Sequence, residues 1–240
     1  MLVLGHRGAP HRAASENTLE AFTAALRQGA DGIECDVRLS RDHKLIVVHD
    51  SNLHRIAGDA HKVSELTAAE LVAIPLRNGG TISTLDEVVA QLDSSCQLDL
   101  EIKQREVITP LIERLRLDSS LRARVVISAF LIYAIEYVQR ELPDIRTVLL
   151  LKRWPLPLRR RRLWRRLQQL APWGVAFPLP MLNSRRVLFL QQQGLQVGAW
   201  DMRGTRREAR QMHTLDLDIA IVRRVKEYTA IVIHNSASTP

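Results

Sequence analysis

The chain has 240 residues, of which 46% are apolar and 25% charged; these proportions exclude a disordered or fibrous protein and suit one large domain. Two cysteines, Cys35 and Cys96, are too few for a disulfide scaffold and fit a reducing compartment. The formal net charge of +8 permits anionic partners without choosing one, and no stretch of about 18 uncharged apolar residues exists to span a membrane.

Short apolar runs alternate with helix-like stretches along the chain. Leu2 to Gly5 reads as a strand, followed by a helix carrying Leu19, Phe22, Ala25 and Leu26 on one face and ending at Gly29, with Asn17 as its cap. Gly32 to Val37 and Lys44 to Val48 are extended runs. The polar link between them is too short for a parallel crossover, so they form a hairpin turning near Arg41 to His43, with Asp36 roughly opposite His49. Residues 51–83 are rich in small and polar side chains and read as a compact insertion; within them Thr67 and Glu70 form a capping box. Strands follow at Leu98 to Ile102, Val125 to Ser128, Thr147 to Leu151, Val175 to Phe177, Val197 to Trp200 and Ile219 to Val222, with helical periodicity between them.

Of nine extended runs, one is the hairpin's return arm, and eight parallel strands remain. Eight strands in a chain of about 250 residues fit an α/β (β/α)8 TIM barrel formed by residues 1–240 as a single domain, with a doubly wound sheet as the alternative.

Polar groups collect at the strand ends. His6 and Arg7 follow the first strand. Glu34 and Asp36, two residues apart, share one side of the second, as Glu101 and Lys103 do near the end of another. His49 and Asp50 close the return arm. In a barrel these ends meet at one mouth, where Glu34, Asp36 and Glu101 can share a divalent cation; an all-oxygen set suits Mg²⁺ or Ca²⁺, with Mn²⁺ a further candidate. His6 and His49 can move protons, and Arg7 and Lys103 can hold phosphate oxygens, an assembly suited to metal-assisted phosphodiester cleavage. Each piece also has a plainer reading: a strand-end salt bridge for Glu101 and Lys103, a local hydrogen bond for His49 and Asp50, and a helix cap for Asn17.

In this order and spacing, His6-Arg7-Gly8, Glu16-Asn17-Thr18, Glu34-Cys35-Asp36-Val37, Val48-His49-Asp50 with Leu53 and Arg55, Leu85 with Glu87, and Glu101-Ile102-Lys103 closely resemble the glycerophosphodiester phosphodiesterase family. The resemblance implies a TIM barrel that hydrolyses glycerophosphodiesters to glycerol 3-phosphate and an alcohol. It implies Glu34, Asp36 and Glu101 as metal ligands, His6 and His49 as the base and acid pair, and Arg7 and Lys103 beside the phosphate. Glu16 matches an active-site acid, Asn17 a site-lining position and Trp200 a substrate-lining aromatic. The likeness thins after residue 103: Ala129 stands at a serine position, Asp201 at a threonine position, and Val222-Arg223 where the family closes with Thr-Asp. Two other readings stay open: a diesterase for lysophospholipids or another lipid-derived diester, and a phosphate-headgroup-binding barrel without turnover.

The helix from Arg159 to Leu170 packs inward by Leu163, Leu167 and Leu170 and turns arginines outward, with Trp154 and Trp164 beside them; transient contact with an anionic membrane is one expectation for it. No nucleic-acid-binding module accompanies the patch, so no nucleic acid is expected. The opening Met-Leu-Val-Leu-Gly-His-Arg-Gly carries no basic segment followed by a long apolar one, and the expected location is cytoplasmic, peripheral to a membrane at most.

Overall fold

The computed structural model describes residues 1–236, without the side chains of residues 157–160 and 232–236. The elements run β1 (Leu2–His6), α1 (Leu19–Arg27), β2 (Gly32–Leu39), β3 (Leu45–Val47), α2 (His54–Ala57), α3 (Ala68–Val72), β4 (Ser83–Thr84), α4 (Leu85–Gln91), β5 (Gln97–Ile102), α5 (Ile108–Leu117), α6 (Ser119–Arg124) and β6 (Val125–Ala129). They continue with α7 (Ile132–Glu141), β7 (Arg146–Leu150), α8 (Pro157–Leu170), β8 (Gly174–Pro178), α9 (Ser184–Gln191), β9 (Gln196–Met202), α10 (Arg206–Thr214), β10 (Ile219–Val222) and α11 (Val225–Ser236).

β1 pairs in parallel with both β2 and β10, so the sheet closes on itself. The remaining parallel pairings run β2–β5–β6–β7–β8–β9–β10. With β3 and β4 set aside as antiparallel additions, the eight-stranded (β/α)8 barrel expected from the strand count is present, and the doubly wound alternative falls.

Alternation along each strand sorts the side chains into two cores. Outward residues such as Ile33, Cys35, Val37, Leu98, Leu100, Ile127 and Leu149 pack under the helices in the main apolar cluster. Their neighbours point into the barrel. On β1, β6, β7, β8 and β10 these are Leu4, Val126, Val148, Leu150, Ala176, Ile219 and Ile221, which form a separate inner core. On β2 and β5 the inward positions are Glu34, Asp36, Asp99 and Glu101 instead, all buried. One side of the barrel interior is therefore apolar and the other acidic.

β2 and β3 form the expected hairpin, but Val37 faces Val47 and the Val48 amide donates to the Asp36 carbonyl at 2.9 Å. The turn centres on Asp42, within the expected Arg41 to His43, and Asp36 stands opposite Val48, one residue short of His49. Residues 51–83 wrap a small core of their own, in which Leu53, Ile56, Val63, Leu71, Leu76 and Ile82 pack on Ile46 and Val48 of the return arm. The Thr67–Glu70 capping box forms as expected. At α1 the cap is Thr18, whose hydroxyl accepts from the Ala21 amide, and not Asn17.

Candidate functional site

β1 ends by turning sharply inward. Arg7 is left-handed at φ 56° and Gly8 follows at φ 83°. A Cβ on Gly8 would lie 2.5 Å from the Ala21 carbonyl carbon, so only glycine allows α1 to approach this closely. The turn delivers the Arg7 amide to the Glu34 backbone carbonyl at 2.9 Å and to its Oε2 at 3.0 Å. Asn17 is also left-handed, at φ 60°, a conformation asparagine tolerates. Its side chain, instead of capping, is buried against β2: Nδ2 donates to Asp36 Oδ2 at 2.8 Å, and Oδ1 accepts from the Asp36 amide at 3.3 Å.

The strand register sets Asp36 beside Glu101. One ligand atom each from Glu34, Asp36 and Glu101 lies within 4.8 Å of the others, and all three side chains are buried. Asp36 is well compensated. Arg7 Nε lies 3.2 Å from Oδ2 and Lys103 Nζ 3.3 Å from Oδ1, ionic contacts without good hydrogen-bond angles, while Asn17 supplies a true bond. Burial alone would raise its pKa, but Arg7 and Lys103 outweigh burial and hold it below the usual range. Glu101 accepts from Lys103 Nζ at 2.7 Å, yet burial and the charge of Asp36 push it up. Glu34 is pushed well above the ordinary value by burial and then by Asp36 and Glu101. Among the described residues no Lys or Arg side chain pairs with it. Beneath these groups lies Asp99, which sequence reasoning missed; burial, reinforced by Glu101 and Asp36, raises it to about 7. The period-two spacing of Glu34 and Asp36 recurs in Asp99 and Glu101, and that signal was there to be read.

So many buried carboxylates with so few cations are an electrostatic deficit. An all-oxygen cluster of this size, with Glu34 lacking a cationic partner, fits a divalent cation of the Mg²⁺ or Ca²⁺ type. Glu34, Asp36 and Glu101 are the residues that would hold it.

The two histidines flank the acids. His6 Nε2 is 3.8 Å from Glu34 Oε2, and its Nδ1 is 3.8 Å from Asp201 Oδ1. Burial, then the charge of Arg7, lowers its pKa to about 4, so the ring is neutral at physiological pH. His49 Nδ1 lies 2.6 Å from Asp50 Oδ1, which orients the ring and leaves Nε2 free for chemistry. Burial lowers its pKa too, against the opposing pull of Asp36 and Asp50. Asp50 is held in turn by Arg55 Nε at 2.6 Å, and Arg55 grips both oxygens of Glu16 at 2.6 and 3.1 Å. Arg7 Nη1 closes the chain on Glu16 Oε1 at 2.8 Å. Glu16 thus links the two halves of the site through arginines. The network His49–Asp50–Arg55–Glu16–Arg7–Asp36 spans the insertion and the barrel, which no local pattern could reveal.

Trp200 stands at the end of β9, half-buried, and meets Phe130 edge-on with ring centroids 5.3 Å apart. Phe130 follows the end of β6, which β7 and β8 separate from β9. Asp201, at φ 57°, and Arg223 form an ion pair next to His6, so two departures from the family pattern have found each other in space.

Away from the mouth, α8 packs by Leu163, Leu167 and Leu170 as expected, with Trp164 against Trp154 and Phe189. Arg161, Arg162, Arg165 and Arg166 are exposed, and Arg166 pairs with Glu136; the side chains of Arg159 and Arg160 lie outside the described residues. Among the described residues no helix is long and apolar enough to cross a membrane.

The comparisons with known proteins agree with this fold. A curated glycerophosphodiester phosphodiesterase of Caldanaerobacter subterraneus is 33% identical over 161 residues, a match covering 62% of this chain and 66% of that relative, just under two thirds of its length. A solved structure of a glycerophosphodiester phosphodiesterase from Thermotoga maritima is 25% identical, with a TM-score of 0.82, and covers 96% of this chain and 98% of its own. A phosphodiesterase from Oleispira antarctica, solved in complex with the product sn-glycerol-3-phosphate, shares the fold with a TM-score of 0.84 at 23% identity, covering 97% of each chain. The profile of the glycerophosphoryl diester phosphodiesterase family matches residues 6–226, and the chain belongs to that family.

Proposed function

We propose that this protein hydrolyses glycerophosphodiesters to sn-glycerol 3-phosphate and an alcohol, using one divalent cation held by Glu34, Asp36 and Glu101. The observation that carries the reading is the buried acidic triad beside two neutral histidines, in a chain of this family. Mg²⁺ or Ca²⁺ is the cation of choice, and Mn²⁺ satisfies the same oxygen ligands. When bound, the cation supplies Lewis-acid stabilisation of charge on the phosphoryl oxygens.

The remaining work falls to the protein's own side chains. Arg7 and Lys103, already paired with the acids, hold the phosphate oxygens. His6, neutral through burial, accepts at Nε2 a proton of the attacking water, whose oxygen bonds to phosphorus as the P–O bond to the leaving alcohol breaks. His49 protonates the leaving alcohol from Nε2. A bound phosphodiester brings negative charge beside it, which favours the imidazolium and offsets the burial that lowers its pKa. Asp50 fixes the His49 ring, and Asn17 acts through Asp36 as a positioning residue.

The test is release of glycerol 3-phosphate from glycerophosphoethanolamine and glycerophosphocholine, first in EDTA and then with Mg²⁺, Ca²⁺ or Mn²⁺, with Glu34→Ala as control. Metal-dependent product that vanishes in the control is expected. No product under any metal from folded protein would sink the proposal and move weight to lysophospholipid diesters, then to a barrel that binds headgroups without turnover. For the acid role, His49→Ala is compared on diesters whose leaving alcohols differ in pKa. A defect that does not grow with leaving-group pKa overturns the assignment.

We also infer that the α8 side touches anionic membrane. Leu156 and Leu188 are 69% and 56% exposed, and exposed Arg161, Arg162, Arg165 and Arg185 share these neighbouring helices, a mixed basic and apolar surface that suits a lipid interface. The same reading puts the protein in the cytoplasm, peripheral to the membrane.

A further inference from the structure

The residues around Trp200 bear on which alcohol leaves. The rings of Phe130 and Trp200 meet at the mouth, which by itself resembles a seat for a cationic headgroup. Two observations argue that the seat is not for a cation. Lys152 Nζ lies 5.2 Å from the Phe130 ring centroid, so the protein's own ammonium already occupies that aromatic surface. The nearby acid, Asp201, is engaged by Arg223. An incoming ammonium would meet a like charge and no free carboxylate.

The same residues suit an oxygen-rich group. Among the described residues Lys152 has no acidic partner; its recorded contact is the Phe130 ring, and its side chain is exposed. The indole N–H of Trp200 is shut away from solvent and has no acceptor. A buried donor left unpaired is costly, and a small shift of the half-buried Trp200 ring that brings this N–H to a ligand's acceptor relieves that cost. Lys152 and the Trp200 N–H both lack an anion or a polar oxygen, and a quaternary ammonium offers neither.

We propose that Lys152, with Trp200, selects glycerophosphodiesters whose leaving alcohol carries an anionic group. The selection rests on the diesterase reading of the same site and deepens it. Lys152 is a specificity residue: it meets the charge of the headgroup and takes no part in proton transfer at the phosphorus.

Glycerophosphoserine and glycerophosphoethanolamine form a matched pair, because their headgroups differ by one carboxylate and share the ammonium. The protein with its cation is expected to show kcat/KM about fivefold higher for the serine ester, the size of an exposed charge pair. Lys152→Met brings that ratio close to one, and Lys152→Arg retains it. Equal kcat/KM for the two esters, or a ratio that survives Lys152→Met, overturns the proposal. If neither ester is turned over, the diesterase reading fails separately. Titration calorimetry with the two esters then decides the selectivity: tighter binding of the serine ester, lost in Lys152→Met, sustains it, and equal binding overturns it.

Discussion

Asn17 and Asp36 are 19 residues apart, and each donates one hydrogen bond to the other: Asn17 Nδ2 to Asp36 Oδ2 at 2.8 Å and the Asp36 amide to Asn17 Oδ1 at 3.3 Å. The second contact fixes the asparagine, and the first fixes the carboxylate. Removing the amide in Asn17→Ala leaves a buried carboxylate oxygen and a buried backbone N–H short of partners. The expected cost is about 1–3 kcal/mol of stability, with a loss of roughly 10–100-fold in affinity for the divalent cation. Thermal unfolding and metal titration measure the two effects. A variant with unchanged metal affinity would show that Arg7 and Lys103 suffice to aim Asp36.

Asp99 lies buried among the acids with its pKa raised to about 7. The folded state binds this proton more tightly than the unfolded chain, whose aspartate titrates near 4. The metal-free protein therefore loses stability as pH rises from about 4 through 7. Asp99→Asn removes the penalty. In EDTA it is expected to stabilise the protein at pH 8 by roughly 2–4 kcal/mol more than at pH 4. Denaturant unfolding at the two pH values checks this; an equal effect at both would mean that Asp99 is ionised in the folded protein throughout.

Arg55 joins Asp50 to Glu16. Burial would raise both carboxyls, but hydrogen bonds from Arg55 outweigh it and hold both below their ordinary values. Here the unfolded chain binds protons more tightly, so the stabilisation is present above about pH 4 and is lost as pH falls through the lowered folded values. Arg55→Met is expected to move the acid-unfolding midpoint upward by a few tenths of a pH unit, about the size expected for a half-exposed network. It also frees Asp50, so kcat falls through a misaligned His49. A normal kcat would mean that the Asp50–His49 bond holds without its arginine.

Membrane contact is read by sedimentation with vesicles containing anionic lipid. Arg161→Glu combined with Arg165→Glu reverses two charges on exposed positions of α8. Vesicle affinity of the unsubstituted protein that falls roughly 30-fold or more in this variant, and weakens with salt, is expected at about 1 kcal/mol per basic residue. Equal sedimentation of the two proteins would remove α8 as the contact.

The local pattern of the sequence determined a good deal. Strand count and the short Arg41–His43 turn led to the barrel with its hairpin, because backbone periodicity and the minimum length of a crossover are local constraints. Spacing of two put Glu34 with Asp36 on one face, and the barrel's common mouth brought Glu101 to them. Tertiary structure decided what depends on distant partners. Asn17 looked like a cap because caps are judged from the next three residues; its bond to Asp36 exists only after α1 docks on β2. The pairing of Asp36 with Val48 and not His49 was fixed by the backbone bonds that close the turn from Ser40 to Lys44. Arg55 reached Glu16 only through the folded insertion. Asp201 and Arg223 read singly as losses of family residues, yet at the ends of the adjacent strands β9 and β10 they form one ion pair beside His6. The sequence by itself determined which chemical groups face the barrel mouth; packing decided which of them are neutralised and which remain free for a ligand, because charge compensation is a property of three-dimensional neighbours.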